Sequence, residues 1–382
     1  MPSSFRDRFP SLSERVHLAS CSYAPRSSFV AAALEDMQHE LEREQPWAVF
    51  EQKVAELRRL LAELLSCEVR QIGLQPNASV AAFQVASSIN WSARPRIVAC
   101  RAEFPSIAQV WKAQERRGAE LVLIEHAVDP AATLEAYRRA IDERVGLVSV
   151  PALDFVGGAR LPVAAIAALA RRHGATSFCD AYQLVGTEPI HAQELGVDYL
   201  AAGAMKYLLA LPGIAFLYAR QPESVQRISE LTGWQARIDP FAFDPLKLDY
   251  PASARRFETG TPAVAPVYAA VAGIRALQEL GLQRAAERIA SLKTYAEQLL
   301  AAHGLEPRWL APPARTGAHV ALRMDDAAQA KALERQLLAQ RIQASPRLDA
   351  LRVAFHAFNR PEDVERLCES LVAARAGGLV QA

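Results

Sequence analysis

Residues 198–220 read DYLAAGAMKYLLALPGIAFLYAR: two apolar runs, DYLAA (198–202) and GIAFLYA (213–219), with a single lysine, Lys206, between them. Short apolar runs bounded by glycine or proline have the length of strands buried on both faces. Others of the same kind come earlier: RIVAC (96–100), AELVLIE (119–125), GLVSV (146–150) and ATSFC (175–179). Segments with helical spacing fall between them at about 79–90, 106–117, 131–143 and 163–173. The alternation predicts an α/β fold, with a mostly parallel central sheet and helices on both faces.

Two amphipathic helices are expected before this region, at 30–45 and 47–66, the second opening near Pro46 and Trp47. After it, Asp239–Ser253 is rich in proline and charge, breaks the periodicity, and reads as a loop or lid. Helices at about 264–280 and 283–302, strand-like VALRM (320–324), a helix at 326–340, strand-like LRVAF (351–355) and a helix at 361–376 then describe a smaller α+β C-terminal domain. A chain of 382 residues suits one large domain and one small one. The expected divisions are an N-terminal arm at 1–20, a large domain at 21–262 and a small domain at 263–382.

Hydrophobic residues make up 51% of the chain and the formal net charge is +1, which describes a globular protein without a strong field and gives no reason to expect nucleic acid as a partner. No run of eighteen apolar residues occurs, and the start has no apolar core behind its charges, so neither a membrane span nor an export signal is expected. The five cysteines are scattered and never form C-x-x-C, which suits a reducing cytoplasm and no zinc site. The eight histidines show no H-x-x-x-H or H-E-x-x-H spacing, so no metal is expected. Neither G-x-G-x-x-G nor G-K-S/T is present, which leaves nicotinamide and nucleotide-phosphate readings without support.

In such a sheet ligands bind beyond the carboxyl ends of the strands. Asp180 stands there, in ATSFCDAYQ, with Gln183 three residues on. A carboxylate at that place can coordinate a metal, cap a loop, or pair with a protonated ring nitrogen. Lys206 narrows the choice. Burying an ammonium between DYLAA and YLLAL without a partner is costly or forces deprotonation. An ε-amine in apolar surroundings is nucleophilic near neutral pH and can form an imine with an aldehyde. The alternative is a lysine snorkelling to the surface from a loop.

A strand ending in D-x-x-Q, followed by L-G-V-D-Y-x-x-x-G-x-x-K-Y and P-G-I-x-F-L-Y, resembles the cofactor segment of the class V aminotransferase family. That family includes cysteine desulfurases, kynureninases and isopenicillin-epimerase-like proteins, and the resemblance spans nearly the whole chain. It implies a fold type I transferase dependent on pyridoxal 5'-phosphate (PLP). Lys206 would then hold the cofactor as a Schiff base, Asp180 would pair with the pyridinium nitrogen and keep the ring an electron sink, and Gln183 would bond the phenolic oxygen. Asn77, Ala78 and Ser79 resemble the family's N-A-T element, which sets the phosphate on a helix N-terminus; alone, they read as an ordinary N-cap.

Phe104, in RAEFPSIAQVW, resembles the kynureninase-like E/D-F-P-S/T element, whose ring stacks on the cofactor and adds about 0.5–1.5 kcal/mol beyond burial; otherwise it is core filling. Thr261, in RRFETGTPAVAPVYAA, resembles the G-T-P segment that reaches the neighbouring subunit's phosphate, implying a homodimer with shared active sites; otherwise it is a turn before a helix. Arg352, in LRVAFHAFNRPEDVERL, resembles the family's L-R-x-S-x-x-x-Y-N-T-x-E-D-V ending, where a guanidinium clamps the substrate carboxylate through two parallel bonds; read alone it is a solvated arginine on a strand.

Three positions depart from the family. Met205 replaces the usual histidine or tyrosine before the lysine, and Gly203 and Ala204 stand where a phosphate-binding serine is common, so phosphate must lean on other donors. Asp154, in LDFVGG, falls where relatives often carry serine or asparagine, and either touches a ligand or caps a turn. For the reaction, the substrate amine displaces Lys206, and the freed lysine moves the proton at Cα. Residues 305–350 contain no cysteine, so desulfurase chemistry in its usual form is not expected. Transamination of a small amino acid is the favoured outcome, because it asks only for a lysine proton shuttle. A β-lyase of the kynureninase or C–S kind is the alternative, and a PLP-binding protein without catalysis is a third reading. The loops SCSYAPR (20–26) and 239–253 are expected to line the substrate side.

Overall fold

A computed structural model describes residues 4–43, 45–224 and 228–378. The chain enters on a two-residue strand, β1 (Val16–His17). It then builds a seven-stranded sheet from β2 (Ile72–Gln75), β3 (Arg96–Cys100), β4 (Glu120–Ile124), β5 (Val145–Pro151), β6 (Thr176–Asp180), β7 (Tyr199–Gly203) and β8 (Ala215–Ala219). Their spatial order is β2-β8-β7-β6-β5-β3-β4, and only β8 runs antiparallel to its neighbours. The mostly parallel sheet is therefore present as expected. Every residue of β5, β7 and β8 is buried, which is why those strands read as unbroken apolar runs, whereas the edge strand β4 carries Glu120 and Leu123 to solvent.

The helices Ala78–Ser87, Pro105–Ala113, Pro130–Ala140 and Val163–Arg172 connect the parallel strands. Proline opens two of them and the helix Pro46–Leu64, at a position where its missing N–H costs nothing. The single helix expected at 106–117 instead tightens after Ala113 into a 3-10 turn, Gln114–Arg117, and stops at Gly118 in the left-handed region. Strand β2 was not legible in the pattern. Its four residues, IGLQ, are held by pairing with β8, and a Cβ at Gly73 would come within 2.4 Å of the Ala254 carbonyl oxygen.

The later strands are β9 (His319–Arg323), β10 (Ile342–Gln343), β11 (Ser345–Arg347) and β12 (Ala350–Ala354); β11, β12 and β9 form a second, antiparallel sheet, and β10 pairs elsewhere. Helices Leu282–Ala302, Ala327–Ala339 and Pro361–Ala376 share a separate apolar core with it, including Leu292, Leu333, Val353 and Leu367. This is the smaller α+β layer. The chain's beginning joins it: β1 pairs in parallel with β10, the Ala354 N–H donates to the Leu18 carbonyl at 2.8 Å, and Val16 and Leu18 are buried in the same core. Residues 1–3 of the expected arm and 379–382 of the expected small domain lie outside the described residues. No helix among the described residues is long and apolar enough to cross a membrane.

Candidate active site

Three neighbouring strands of the central sheet deliver their carboxyl ends to one cavity of about 300 Å³. β6 contributes Asp180 and then Tyr182 and Gln183; β7 leads through a turn to Met205 and Lys206; β5 ends at Pro151, followed by Leu153 and Phe155. The helix starting at Ala78 closes one wall with Asn77, Ala78 and Ser79, and β12 contributes Arg352 from the second sheet. Cys21 and Ser22 enter from the SCSYAPR loop as expected. The 239–253 segment does not: within one chain none of its residues lines this cavity.

Lys206 is held on a short loop. Leu209 N–H donates to the Lys206 carbonyl at 3.1 Å, Ala210 N–H to that of Ala204 at 3.0 Å, and Ala24 N–H to that of Met205 at 3.0 Å. Closing the loop sets Leu209 at φ +61°, a non-glycine residue in the left-handed region next to the reacting group, at a cost on the order of 1–3 kcal/mol. The Lys206 Nζ lies 4.3 Å from the centre of the Tyr182 ring and 5.7 Å from that of Phe104. Burial pulls its amine down to about 8, against the opposing pull of the Asp180 charge. The amine faces an internal cavity, so the surface-lysine alternative does not hold.

Asp180 is 7% exposed, and its Oδ1 accepts the Tyr182 N–H at 2.9 Å. Burial raises its carboxyl, while the Tyr182 bond and the Lys206 charge work the other way. A second carboxyl nearby is Glu103, buried and accepting from the Ser149 hydroxyl at 2.5 Å. Burial, and then the Asp180 charge, push it up to about 8. Glu103 is therefore held toward its protonated form, with the Ser149 hydroxyl as its partner.

Gln183 donates through Nε2 to the Cys21 carbonyl at 3.0 Å, and its buried Oε1 has no partner. Asn77 caps its helix, with Oδ1 accepting the Val80 N–H at 3.0 Å, and still lines the cavity, so cap and cavity wall coexist. Phe104 is 38% exposed, with its ring edge-to-face on Phe155 at 5.4 Å, which rules out plain core filling. Arg352 is 1% exposed, which corrects the solvated-strand reading. It donates to the Phe155 carbonyl at 2.8 Å and to the Ser22 and Ser345 hydroxyls at 2.9 and 2.7 Å. No carboxylate of the described residues pairs with it, so a buried cation faces the cavity with room for an anion.

Asp154 caps a turn: it accepts the N–H groups of Val156 and Gly157 at 2.9 and 2.7 Å, faces His126 at 3.7 Å, and is absent from the Lys206 cavity. Thr261 also lies outside that cavity, exposed in a separate hollow with Trp47, Phe50 and Phe241. The glycine at 203 has a steric cause. A Cβ there would sit 2.2 Å from the Tyr182 hydroxyl oxygen, so the tyrosine ring fills the space a serine side chain would need. Tyr182 and Arg347 also line the cavity, although no motif pointed to them; the one signal for Tyr182 was its place inside D-A-Y-Q.

These groups fit PLP on their own chemistry. An unpartnered Gln183 oxygen suits a phenolic hydroxyl, a buried carboxylate suits a cationic ring nitrogen, and a helix N-terminus suits a phosphate. Two aromatic rings flank the amine that an aldehyde must reach.

Comparison with known proteins leads to the same place. The aminotransferase class-V family matches residues 34–367. The uncharacterized aminotransferase YcbU of Bacillus subtilis (strain 168) is 31% identical over 374 residues, covering 98% of both chains. A kynureninase of Deinococcus radiodurans is 28% identical over 253 residues, 66% of this chain and 59% of its own. Among solved structures, the apo cysteine desulfurase of Thermococcus onnurineus NA1 superposes with a TM-score of 0.86 at 20% identity, covering 99% of this chain and 98% of that one. The cystine C–S lyase C-DES gives 0.86 at 21% identity, covering 95% and 99%. With the family's sequence matched over most of the chain and its fold reproduced, this protein belongs to the class-V aminotransferases, enzymes that work through PLP.

Proposed function

We propose that the protein is a homodimeric transaminase of a small amino acid, with Lys206 as covalent anchor of the cofactor and as the proton carrier. The observation that carries the reading is the Lys206 amine, near the Tyr182 and Phe104 rings on a cavity it shares with Asp180 and Arg352. Bound there, PLP supplies an aldehyde that takes up amines and a ring that draws electrons from the substrate's Cα–H bond. An amine shifted down to about 8 is neutral often enough near pH 7 to accept that proton, and is then basic enough to hold and return it. Arg352 orients the substrate by its carboxylate, Asp180 keeps negative charge at the deep wall, and the helix end at Asn77, Ala78 and Ser79 takes the phosphate. Phe104 and Tyr182 present aromatic faces beside the Lys206 amine.

Transamination is favoured because it asks only that Lys206 move protons in both directions, with Met205 in the place where the family usually has histidine or tyrosine. The name of the Bacillus relative agrees with that choice. The usual sulfur-accepting cysteine has no counterpart, since residues 305–350 lack one and Cys368 is buried in the helix Pro361–Ala376. A β-lyase of the kynureninase kind is the second reading, supported by the E-F-P-S element at Phe104 and by the kynureninase relative.

The homodimer reading draws on Thr261, which cannot serve the Lys206 cavity of its own chain, and on the apolar side chains beside its hollow. Phe243, Leu246 and Leu248 are exposed in the 239–253 segment, a surface suited to a second copy. The five cysteines are unpaired, which supports a cytoplasmic location. The domain division is proposed as drawn from the sequence, with the arm joined to the small domain through β1 and β10.

The test is an amino-acid panel given to holoprotein with no keto acid present. A transaminase releases at most one equivalent of keto acid per subunit, stops, and resumes when an acceptor keto acid is added. Sustained release of ammonia with keto acid, or of alanine, without an acceptor would replace this reading with the lyase.

A further inference from the structure

Ser345, Arg347 and Arg352 occupy one face of the hairpin formed by β11 and β12. Ser345 is the direct cross-strand partner of Arg352, and Arg347 stands two residues beyond Ser345 on the same strand. Alternation along a strand therefore puts all three side chains on one side. That side meets the Lys206 cavity, which both arginines line.

The two guanidinium groups differ in depth. Arg352 is buried and fixed by three hydrogen bonds, whereas Arg347 is exposed at the end of its strand and bonds only the carbonyl of Pro346, at 3.2 Å, among the described residues. Neither is paired with a carboxylate of the described residues. Partial burial, and after it the Arg352 charge, draws the Arg347 guanidinium below its usual range. Two like charges kept side by side without an acid repel each other, and an anion between or beside them relieves that. The cavity's one carboxylate, Asp180, already faces Lys206. If Arg352 takes the α-carboxylate, Arg347 is a second cation toward the mouth with nothing yet to hold.

We propose that Arg347 is a side-chain anion subsite, so that the preferred substrate is an amino acid with an acidic group at the end of its side chain. This rests on the amino-acid reading of the site and adds to it the chemistry of the side chain. A guanidinium fork binds a carboxylate or sulfonate through charge-assisted bonds that the matching amide cannot make.

The test uses isosteric pairs on the holoprotein: L-aspartate with L-asparagine, and L-glutamate with L-glutamine. Dissociation constants are read from the absorbance change of the bound cofactor. In the native protein the acid of at least one pair should bind about tenfold more tightly than its amide. In Arg347→Ala that ratio should fall to within about twofold, and Arg347→Lys should retain part of it. Arg347 is exposed, so neither substitution removes a core contact. Equal affinities within both pairs in the native protein, or a ratio unchanged in Arg347→Ala, overturn the subsite. Equal affinities with single-equivalent keto-acid release would leave the transaminase standing without the subsite; acid preference with sustained acceptor-free turnover would leave the subsite standing without the transaminase.

Discussion

Lys206→Ala protein is expected to turn over substrate at least about 10⁴-fold more slowly than the native chain. A well-placed proton carrier supplies about 10²–10⁴-fold by itself, and here the same side chain also anchors the cofactor. The fold should survive the change. The loop is closed by backbone bonds from Leu209, Ala210 and Ala24, none of which uses the lysine side chain, and removing a poorly solvated amine lifts a desolvation cost. Thermal unfolding of the variant should therefore stay within a few degrees of the native value when both are measured without cofactor. Adding a small primary amine should restore part of the rate, because a free amine can enter the space left between the Tyr182 and Phe104 rings. Turnover within about tenfold of native in the variant would mean that another base does the work.

Asp180→Asn should lower kcat by about 10²–10³-fold while cofactor remains bound, since the loss is of a charge placed to stabilise the transition state rather than of a binding contact. The amide keeps an oxygen where Oδ1 accepts the Tyr182 N–H, so the turn after β6 has no reason to rearrange. The substitution also removes the charge that helps push Glu103 up to about 8, so the neighbouring acid should ionise at lower pH in the variant. Steady-state kinetics on protein saturated with cofactor separates the two effects: kcat carries the loss, and the concentration of cofactor needed for saturation moves little. Unchanged kcat would remove Asp180 from the chemistry.

The central sheet was readable because its strands are buried on both faces, and burial of that kind leaves an unbroken apolar signature in β5, β7 and β8. β2 left none: a four-residue strand containing a glycine is specified by β8 and by the close approach of Ala254, both far away in the chain. The same distinction holds at the site. Asp180 and Lys206 were legible because a charged residue amid apolar neighbours conflicts with its surroundings. Tyr182 was not, because the steric demand that ties it to Gly203 exists only between segments brought together by the fold. Arg352 shows the limit from the other side. Its sequence suits a solvated strand position, and only the packing of the second sheet against the first, through the Phe155 carbonyl and the Ser22 hydroxyl, turns it into a buried cation awaiting an anion.

The chain offers its own control for the claim that Lys206 holds the cofactor. Lys293 is a second amine pulled down to about 8 by burial, but it is committed to the carbonyls of Pro313, Thr316 and Gly317 and the Thr316 hydroxyl at 2.8–3.2 Å. A lowered proton affinity is therefore not sufficient; the amine must also be free and face a cavity that an aldehyde can enter. Borohydride reduction of the holoprotein, followed by digestion and peptide mass mapping, distinguishes the two directly. The pyridoxyl group is predicted on the peptide that contains Lys206, in one copy per chain, and its appearance on Lys293 or any other lysine instead would contradict the account.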